Sequence, residues 1–386
     1  MFKNTRFNDL MEGLPRGQFD QAVALSGNDK YNKGFRSWDQ LVSLIYGQVS
    51  GRQSLRELET AFNSNKHAHY HLGTREVRRT TLAEANAKRD YRLFETVCNS
   101  MLHQVKGKLK RELKSFIYLL DSTPIVLKGH GFDSWTGKTR THRTQGLKVH
   151  MIYNSDAQVP TYANISNANV NDIQDARRMS LEQGVTYVFD KGYCDYNWWN
   201  EIDSMESVFV TRFKCNAAIG VIESRKVEGP ILSDEVVELT NRNPGAGRKN
   251  RYRQPLRRVI VEREDKDRPL VLATNDMRRS AQEIADLYKS RWQVELFFKW
   301  LKQNLKIKRY LGRSENAVKT QIFIAIITYL LVYLYRARRG IKASLRTCLI
   351  ELSATLMERP KLEYELLRRR QKILSNAMEN QVSLAL

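Results

Sequence analysis

Between Leu287 and Leu311 the chain reads LYKSRWQVELFFKWLKQNLKIKRYL, and four of these side chains are of types that act on phosphodiesters. With Tyr288 at zero and about 100° per residue, Arg291 falls at roughly −60°, Glu295 at roughly −20° and Lys302 at roughly −40°. A tyrosine, an arginine, a carboxylate and a lysine therefore share one stripe of a single expected helix, while Leu296, Phe297, Trp300 and Leu301 point elsewhere. Two more carboxylates follow apolar, β-rich runs: Asp121 after YLL and Asp190 after YVF. Three hard oxygen donors held by rigid elements suit Mg²⁺ or Mn²⁺ rather than zinc. Two such ions about 3.5–4 Å apart can activate an attacking oxygen and stabilise a leaving one across one phosphorus.

The elements that must position these groups can be read from periodicity and turn chemistry. Residues 1–113 read as a helical domain. Ser/Thr residues followed three positions later by Glu/Gln (Ser37–Gln40, Ser54–Glu57, Thr81–Glu84) predict helix starts, and apolar residues recur behind them at three-to-four spacing. The basic run Lys106–Lys114 marks a boundary. A β/α pattern follows over 114–312, with strands expected at 115–127, 147–155, 159–166, 185–189 and 208–213 and helices at about 173–183 and 198–205. Short strands with turn residues at 243–247 predict a β insertion at about 216–275. Another capping pair, Ser280–Glu283, opens the helix with the reactive stripe, and helical sequence fills 313–386. The fold expected is α/β, a ribonuclease-H-like mixed sheet with a β insertion, flanked by an N-terminal helical domain and a C-terminal helical region.

Composition narrows the partners. Lys and Arg number 64 against 42 Asp and Glu, a formal charge of +22 spread through folded-looking segments, which points to nucleic acid. Lys299, Lys302, Lys306, Lys308, Arg309 and Arg313 follow Glu295 without an intervening acid and form the best backbone-tracking run. Lys138–Arg143, Arg248–Arg253 and Arg368–Arg370 are further basic clusters. Cys98, Cys194, Cys215 and Cys348 show no CxxC spacing, so neither a disulfide framework nor a cysteine zinc site is expected. His67, His69 and His71 alternate without an obvious fourth ligand, a poor metal pattern. No apolar leader opens the chain, and the run Gln321–Tyr335 is shorter than a bilayer span, so it is expected to be a buried core helix in a protein without membrane attachment.

LLDSTPI around Asp121, VFDKGYCDY around Asp190, FVTRFK at Phe209–Lys214 and the set Tyr288, Arg291, Glu295, Lys302 together resemble the bacterial insertion-sequence-four family of DDE transposases. PLRRVIV, PLVLATN and the leader GFRSWDQLVSLIYGQVSGRQSLRELE extend the resemblance to about Gly340. It implies that Asp121, Asp190 and Glu295 bind two divalent ions and that Tyr288, Arg291 and Lys302 hold phosphates beside the scissile bond. It implies double-stranded DNA partners, both terminal inverted repeats bound in part by the N-terminal domain and target DNA. It further implies a homodimer in the synaptic complex, a cytoplasmic, nucleoid-associated setting and a hairpin at the cut end. Lys299, Lys306, Arg212, Lys214, Arg257 and Arg258 are added as candidate DNA contacts. Hairpin formation calls for an aromatic side chain to stack an extruded base. The insertion lacks tryptophan, leaving Tyr252 and, just after the second aspartate motif, Trp198 as the stacking candidates, although Trp198 and Trp199 read rather as core or helix-packing residues. Two other classes fit the charge: a non-catalytic DNA-binding protein derived from a transposase, and a metal-dependent nuclease without strand joining.

Overall fold

The computed structural model describes residues 5–32, 34–113, 116–136, 145–241, 249–263, 268–305 and 309–359. The chain divides into two compact units. One comprises the chain up to Cys98, Asn304–Gly312 and the residues from Asn316 onward; the other comprises Asn99–Gln303 and Arg313–Glu315.

The first unit is helical, with α1 (Arg6–Met11), α2 (Arg16–Ser26), α3 (Ser37–Val49), α4 (Leu55–Asn63), α5 (Lys66–Leu72), α6 (Arg79–Lys88) and the start of α7 (Arg92–Glu112). Of the expected helix starts, Ser54 does cap α4, its hydroxyl accepting from the Glu57 N–H. Ser37 lies inside α3, where the Asp39 carboxylate instead accepts from the Arg36 N–H at 2.8 Å. Thr81 lies within the first turn of α6, whose N-cap is Arg78.

Later in the chain, α12 (Glu315–Arg338) and α13 (Leu345–Thr355) complete the described part of this unit. Among the described residues α12 is long and apolar enough to cross a membrane, yet 89% of its apolar window is buried inside the protein. The ends of this unit are tied together: Arg338 reaches Glu12 at 3.1 Å, and the Phe7 N–H donates to the Leu356 carbonyl at 2.8 Å.

The second unit is built on one nine-stranded sheet. Its strands are β1 (Ile117–Val126), β2 (Gly146–Asn154), β3 (Val159–Asn167), β4 (Thr186–Phe189), β5 (Val208–Arg212), β6 (Ile219–Ser224), β7 (Ile231–Leu239), β8 (Leu256–Val261) and β9 (Leu270–Thr274). The order is β3-β2-β1-β4-β5-β9-β8-β7-β6, with β1, β4 and β5 parallel and the other neighbours antiparallel. The expected insertion is thus no separate layer: β9 pairs with β5 and carries the sheet onward. The β1–β2 pairing ends at Gly146, where a Cβ would meet the Ile125 carbonyl at 2.0 Å, so only glycine allows that approach.

Helices cover both faces. On one lie α8 (Asp172–Ala176) and α9 (Tyr196–Ser204), where Trp198, Trp199, Phe189, Phe209 and Tyr252 form an aromatic core. Ring centroids stand 5.0 Å apart for Phe189–Trp198 and 4.8 Å for Trp199–Phe209. On the other lie α10 (Ala281–Ser290) and α11 (Trp292–Asn304), with Phe297 against Tyr153 of β2. The helix expected over 173–183 stops at Ala176, and the chain then runs in turns to Gly184, whose φ of +72° suits glycine.

Candidate active site

β1 and β4 run side by side in register, with Leu120 opposite Phe189. The next residues are Asp121 and Asp190, so the two carboxylates follow equivalent positions on neighbouring parallel strands. Asp190 ends β4, as expected. Asp121 does not end β1: its pairing with β4 stops at Leu120 while its pairing with β2 runs on to Val126.

The third carboxylate comes from the helical layer. Ser280 and Glu283 form a full capping box, each side chain accepting from the other's backbone N–H, and so fix the start of α10. The single helix expected from Tyr288 to Lys302 is two, α10 and α11, meeting at Arg291. There the ladder tightens to i,i−3 bonds, Arg291 N–H to Tyr288 C=O and Val294 N–H to Arg291 C=O, both 3.2 Å. The break leaves the stripe aimed at the sheet.

Arg291 is the hub. Its Nη1 lies 3.3 Å from Asp121 Oδ2, and its Nη2 donates to Glu295 Oε1 at 2.5 Å. Arg212, on β5, donates to Asp190 Oδ1 from Nε at 3.0 Å and Nη2 at 2.5 Å, and the Tyr288 hydroxyl reaches the same oxygen at 3.2 Å. Lys302 Nζ donates to Thr123 Oγ1 at 2.5 Å, two residues beyond Asp121. Tyr288, Arg291, Glu295 and Lys302 are therefore gathered with Asp121 and Asp190 within one unit.

The electrostatics separate the two aspartates. Burial pushes the Asp121 carboxyl up to about 6, with Glu295 and Asp190 adding to the rise against the Ser122 N–H and Arg291. Burial acts the same way on Asp190, but the Arg212 hydrogen bonds, the Lys191 N–H and Arg291 outweigh it and bring that carboxyl below its usual value. Burial, then the nearby Asp190 charge, pushes the Tyr288 phenol up to about 12, so it stays a hydrogen-bond donor.

A divalent ion fits the chemistry of this donor set. Three carboxylates carry three negative charges, and guanidinium groups already stand among them, where positive charge is favoured. Among the described residues no three His, Cys, Asp or Glu side chains close into a ligand cluster. Arg291 joins Asp121 to Glu295 instead, while Asp190 is held by Arg212 and Tyr288. His69 is buried with Nε2 3.0 Å from the Phe62 carbonyl, which accounts for one of the three alternating histidines.

The structure places the other candidate contacts as follows. Arg257 is 2% exposed and locked to Asp234, with Nε–Oδ1 and Nη2–Oδ2 both 2.7 Å, a bidentate tie between β7 and β8. Arg258 is paired with Glu235. Tyr252 and Trp198 are each 1% exposed within the aromatic core and present no face to a base. Arg212 is engaged with Asp190. Lys214 is exposed, 3.4 Å from the Cys194 carbonyl, and Lys299 is exposed on α11. Lys306 and Lys308 lie outside the described residues, as do 138–143, 243–247 and 368–370. Trp292, directly after Arg291, is 58% exposed, and Lys191, directly after Asp190, is exposed as well. Both residues stand within the motifs themselves.

Two neighbouring parallel strands each lead into an aspartate, and α11 carries Glu295 to the same Arg291 guanidinium that reaches Asp121. Comparison with known proteins then names the family: residues 114–331 match the transposase DDE domain, and the chain belongs to that family. Residues 2–75 match a domain of unknown function, DUF4372. A relative from Sinorhizobium fredii named as a transposase, y4zB, is 40% identical over 258 residues, covering 65% of this chain and 69% of that one. Another from Geobacillus stearothermophilus, named as a transposase for insertion sequence element IS5377, is 29% identical over 187 residues, covering 48% of each. Among solved structures, a piggyBac transposase synaptic complex with hairpin DNA aligns with a TM-score of 0.50 at 10% identity, covering 95% of this chain and 84% of that one. The fold is ribonuclease-H-like, and the protein is a transposase of the insertion-sequence kind.

Proposed function

We propose that this chain cuts and joins DNA at the terminal inverted repeats of its element, with Asp121, Asp190 and Glu295 as the catalytic carboxylates. The observation that carries the reading is the single guanidinium of Arg291 joining Asp121 to Glu295, residues 170 and 4 positions from it in the chain. Two Mg²⁺ or Mn²⁺ ions held by the three carboxylates would supply Lewis-acid charge to the scissile phosphate and lower the pKa of the attacking hydroxyl. Arg291 and Arg212 are poised to turn from carboxylate to phosphate when the site fills, guanidinium being suited to either partner bidentately. Tyr288 donates its hydroxyl proton into the same region, and Lys302 holds position beside β1 as a backbone contact. Lys191, Lys214 and Lys299 add exposed positive charge near the catalytic residues along the chain. A dimer pairs two ends with two such sites, and a bacterial cytoplasm supplies the DNA.

The direct test is to incubate the protein with terminal inverted-repeat DNA and Mg²⁺ and resolve nicks, hairpins and joined products. Binding without cleavage would exclude catalysis, and cleavage without joining would leave a nuclease.

With Tyr252 and Trp198 in the core, stacking on an extruded base passes to Trp292, exposed beside Arg291. Replacing it with alanine should leave the first nick intact and slow hairpin formation by roughly tenfold to a hundredfold, the worth of one base–aromatic stack. An abasic nucleotide at the extruded position should erase the difference between the two proteins. Equal hairpin rates on intact DNA would remove Trp292 from the step.

The metal-free site also carries a pH signature. The folded-state carboxyl of Asp121 titrates at about 6 against an ordinary 3.8, so proton binding there favours the folded chain. Its stabilising contribution is complete below the unfolded value and is lost as the pH rises through about 6. Asp190, shifted the other way, stabilises above its unfolded value and loses that contribution as the pH falls through its folded one. Thermal melts in EDTA should show Asp121→Asn gaining on the wild type as the pH rises through about 6. A constant difference between the two proteins across that window would refute the assignment.

A further inference from the structure

Behind Asp121, on the opposite face of the sheet, lies a polar cluster that the reaction chemistry leaves unused. Successive strand residues point to opposite faces, so Ser122 looks away from the carboxylates and stands across from His150, as Asp121 stands across from Met151. Asp172, the first residue of α8, receives the Ser122 hydroxyl at 2.7 Å and Lys148 Nζ at 3.0 Å, both on Oδ1. Lys148 also donates to the Val170 carbonyl at 2.9 Å, which fixes the approach to α8. The other oxygen of Asp172 backs onto Gly192, two residues after Asp190: a Cβ there would stand 3.3 Å from Oδ2. His150 packs beside the group, its Nε2 2.7 Å from Ser166 Oγ and its Nδ1 3.8 Å from Asp172 and 3.7 Å from Asp175. Burial lowers the His150 pKa, so those two contacts are made by a neutral ring and are not ion pairs.

Asp172 therefore touches the neighbours of two catalytic carboxylates at once, Ser122 beside Asp121 and Gly192 beyond Asp190. We propose that Asp172 is a positioning residue for the phosphoryl-transfer site, setting the spacing of Asp121 and Asp190 from the far face of the sheet and so the site's affinity for divalent ions. This rests on the catalytic reading of Asp121, Asp190 and Glu295 given above. Groups that orient metal-binding carboxylates from behind act on affinity, and losing one costs about tenfold or more.

The test uses variants that leave Asp172 itself in place. Ser122→Ala removes the hydrogen bond to Oδ1, Ser122→Thr restores a hydroxyl, and Gly192→Ala presses a methyl group toward Oδ2. Mn²⁺ binding to the full chain is measured by titration calorimetry, with binding to end DNA measured alongside. Ser122→Ala and Gly192→Ala should weaken Mn²⁺ binding by about tenfold with DNA affinity unchanged, and Ser122→Thr should recover most of the loss. Asp121→Ala serves as the control on the underlying reading. If it binds Mn²⁺ as the wild type does, the metal site itself is misassigned. If it loses binding while Ser122→Ala and Gly192→Ala keep wild-type affinity, the positioning role of Asp172 is overturned and the site stands.

Discussion

Glu295→Gln should give a protein that folds, binds end DNA and cuts it at least about a thousandfold more slowly, the scale of losing one member of a catalytic unit. The amide keeps the shape of the side chain and can still accept a hydrogen bond from Arg291, whose Nη2 lies 2.5 Å from Oε1. What disappears is one of the three negative charges available to divalent ions. Asp121→Asn and Asp190→Asn should behave alike for the same reason, and any pair of these changes should cost little more than one, because the three act as a unit. Single-turnover cleavage of labelled end DNA, with binding measured separately, reads both quantities. A variant cutting at the wild-type rate would remove its residue from the triad.

Arg291→Ala should have a different profile. The guanidinium is 14% exposed and joins Asp121, 19% exposed, to Glu295. Removing it leaves the buried Asp121 carboxylate and the neighbouring, partly exposed Glu295 without their shared countercharge, so the metal-free protein should melt at a lower temperature. Mg²⁺ should restore much of that loss, since a divalent ion bound only by the folded state supplies the missing charge. Cleavage should stay down by about a hundredfold or more even at saturating Mg²⁺, because the proposed transition-state contact of the guanidinium with the phosphate is lost. Arg291→Lys should rescue stability in part and cleavage little: one ammonium cannot span both carboxylates as the planar fork does. A variant that melts like the wild type without metal, or recovers full cleavage with it, would show that Arg291 is neither tie nor clamp.

The chemistry was legible in the chain because it rests on helical spacing and on short apolar runs, both local patterns. Tyr288, Arg291, Glu295 and Lys302 share a stripe by arithmetic, and the break at Arg291 escaped notice because each residue around it is an acceptable helix former. The environments of several candidate residues depend instead on partners far away in sequence. Arg257 looked like one more cation for DNA, and only strand pairing brings Asp234 diagonally beside it on β7. Tyr252 is the one aromatic residue of the insertion's sequence, and Trp198 with its neighbour Trp199 already read as core; the packing of α9 on the sheet buries Tyr252 and Trp198 alike. The exposure of Trp292 is not legible from a helical wheel, which says nothing of which flank stays in water. The insertion's strands were recognisable by composition, but their joining to β5 through β9 depends on a register that no local signal carries.

Crystals of the protein soaked in Mn²⁺, with anomalous diffraction recorded at the manganese edge, test the central claim most directly. Two manganese peaks among the carboxylates of Asp121, Asp190 and Glu295, with Arg291 withdrawn from between Asp121 and Glu295, are the predicted result. Manganese bound elsewhere, with Arg291 still bridging an otherwise empty triad, would contradict it.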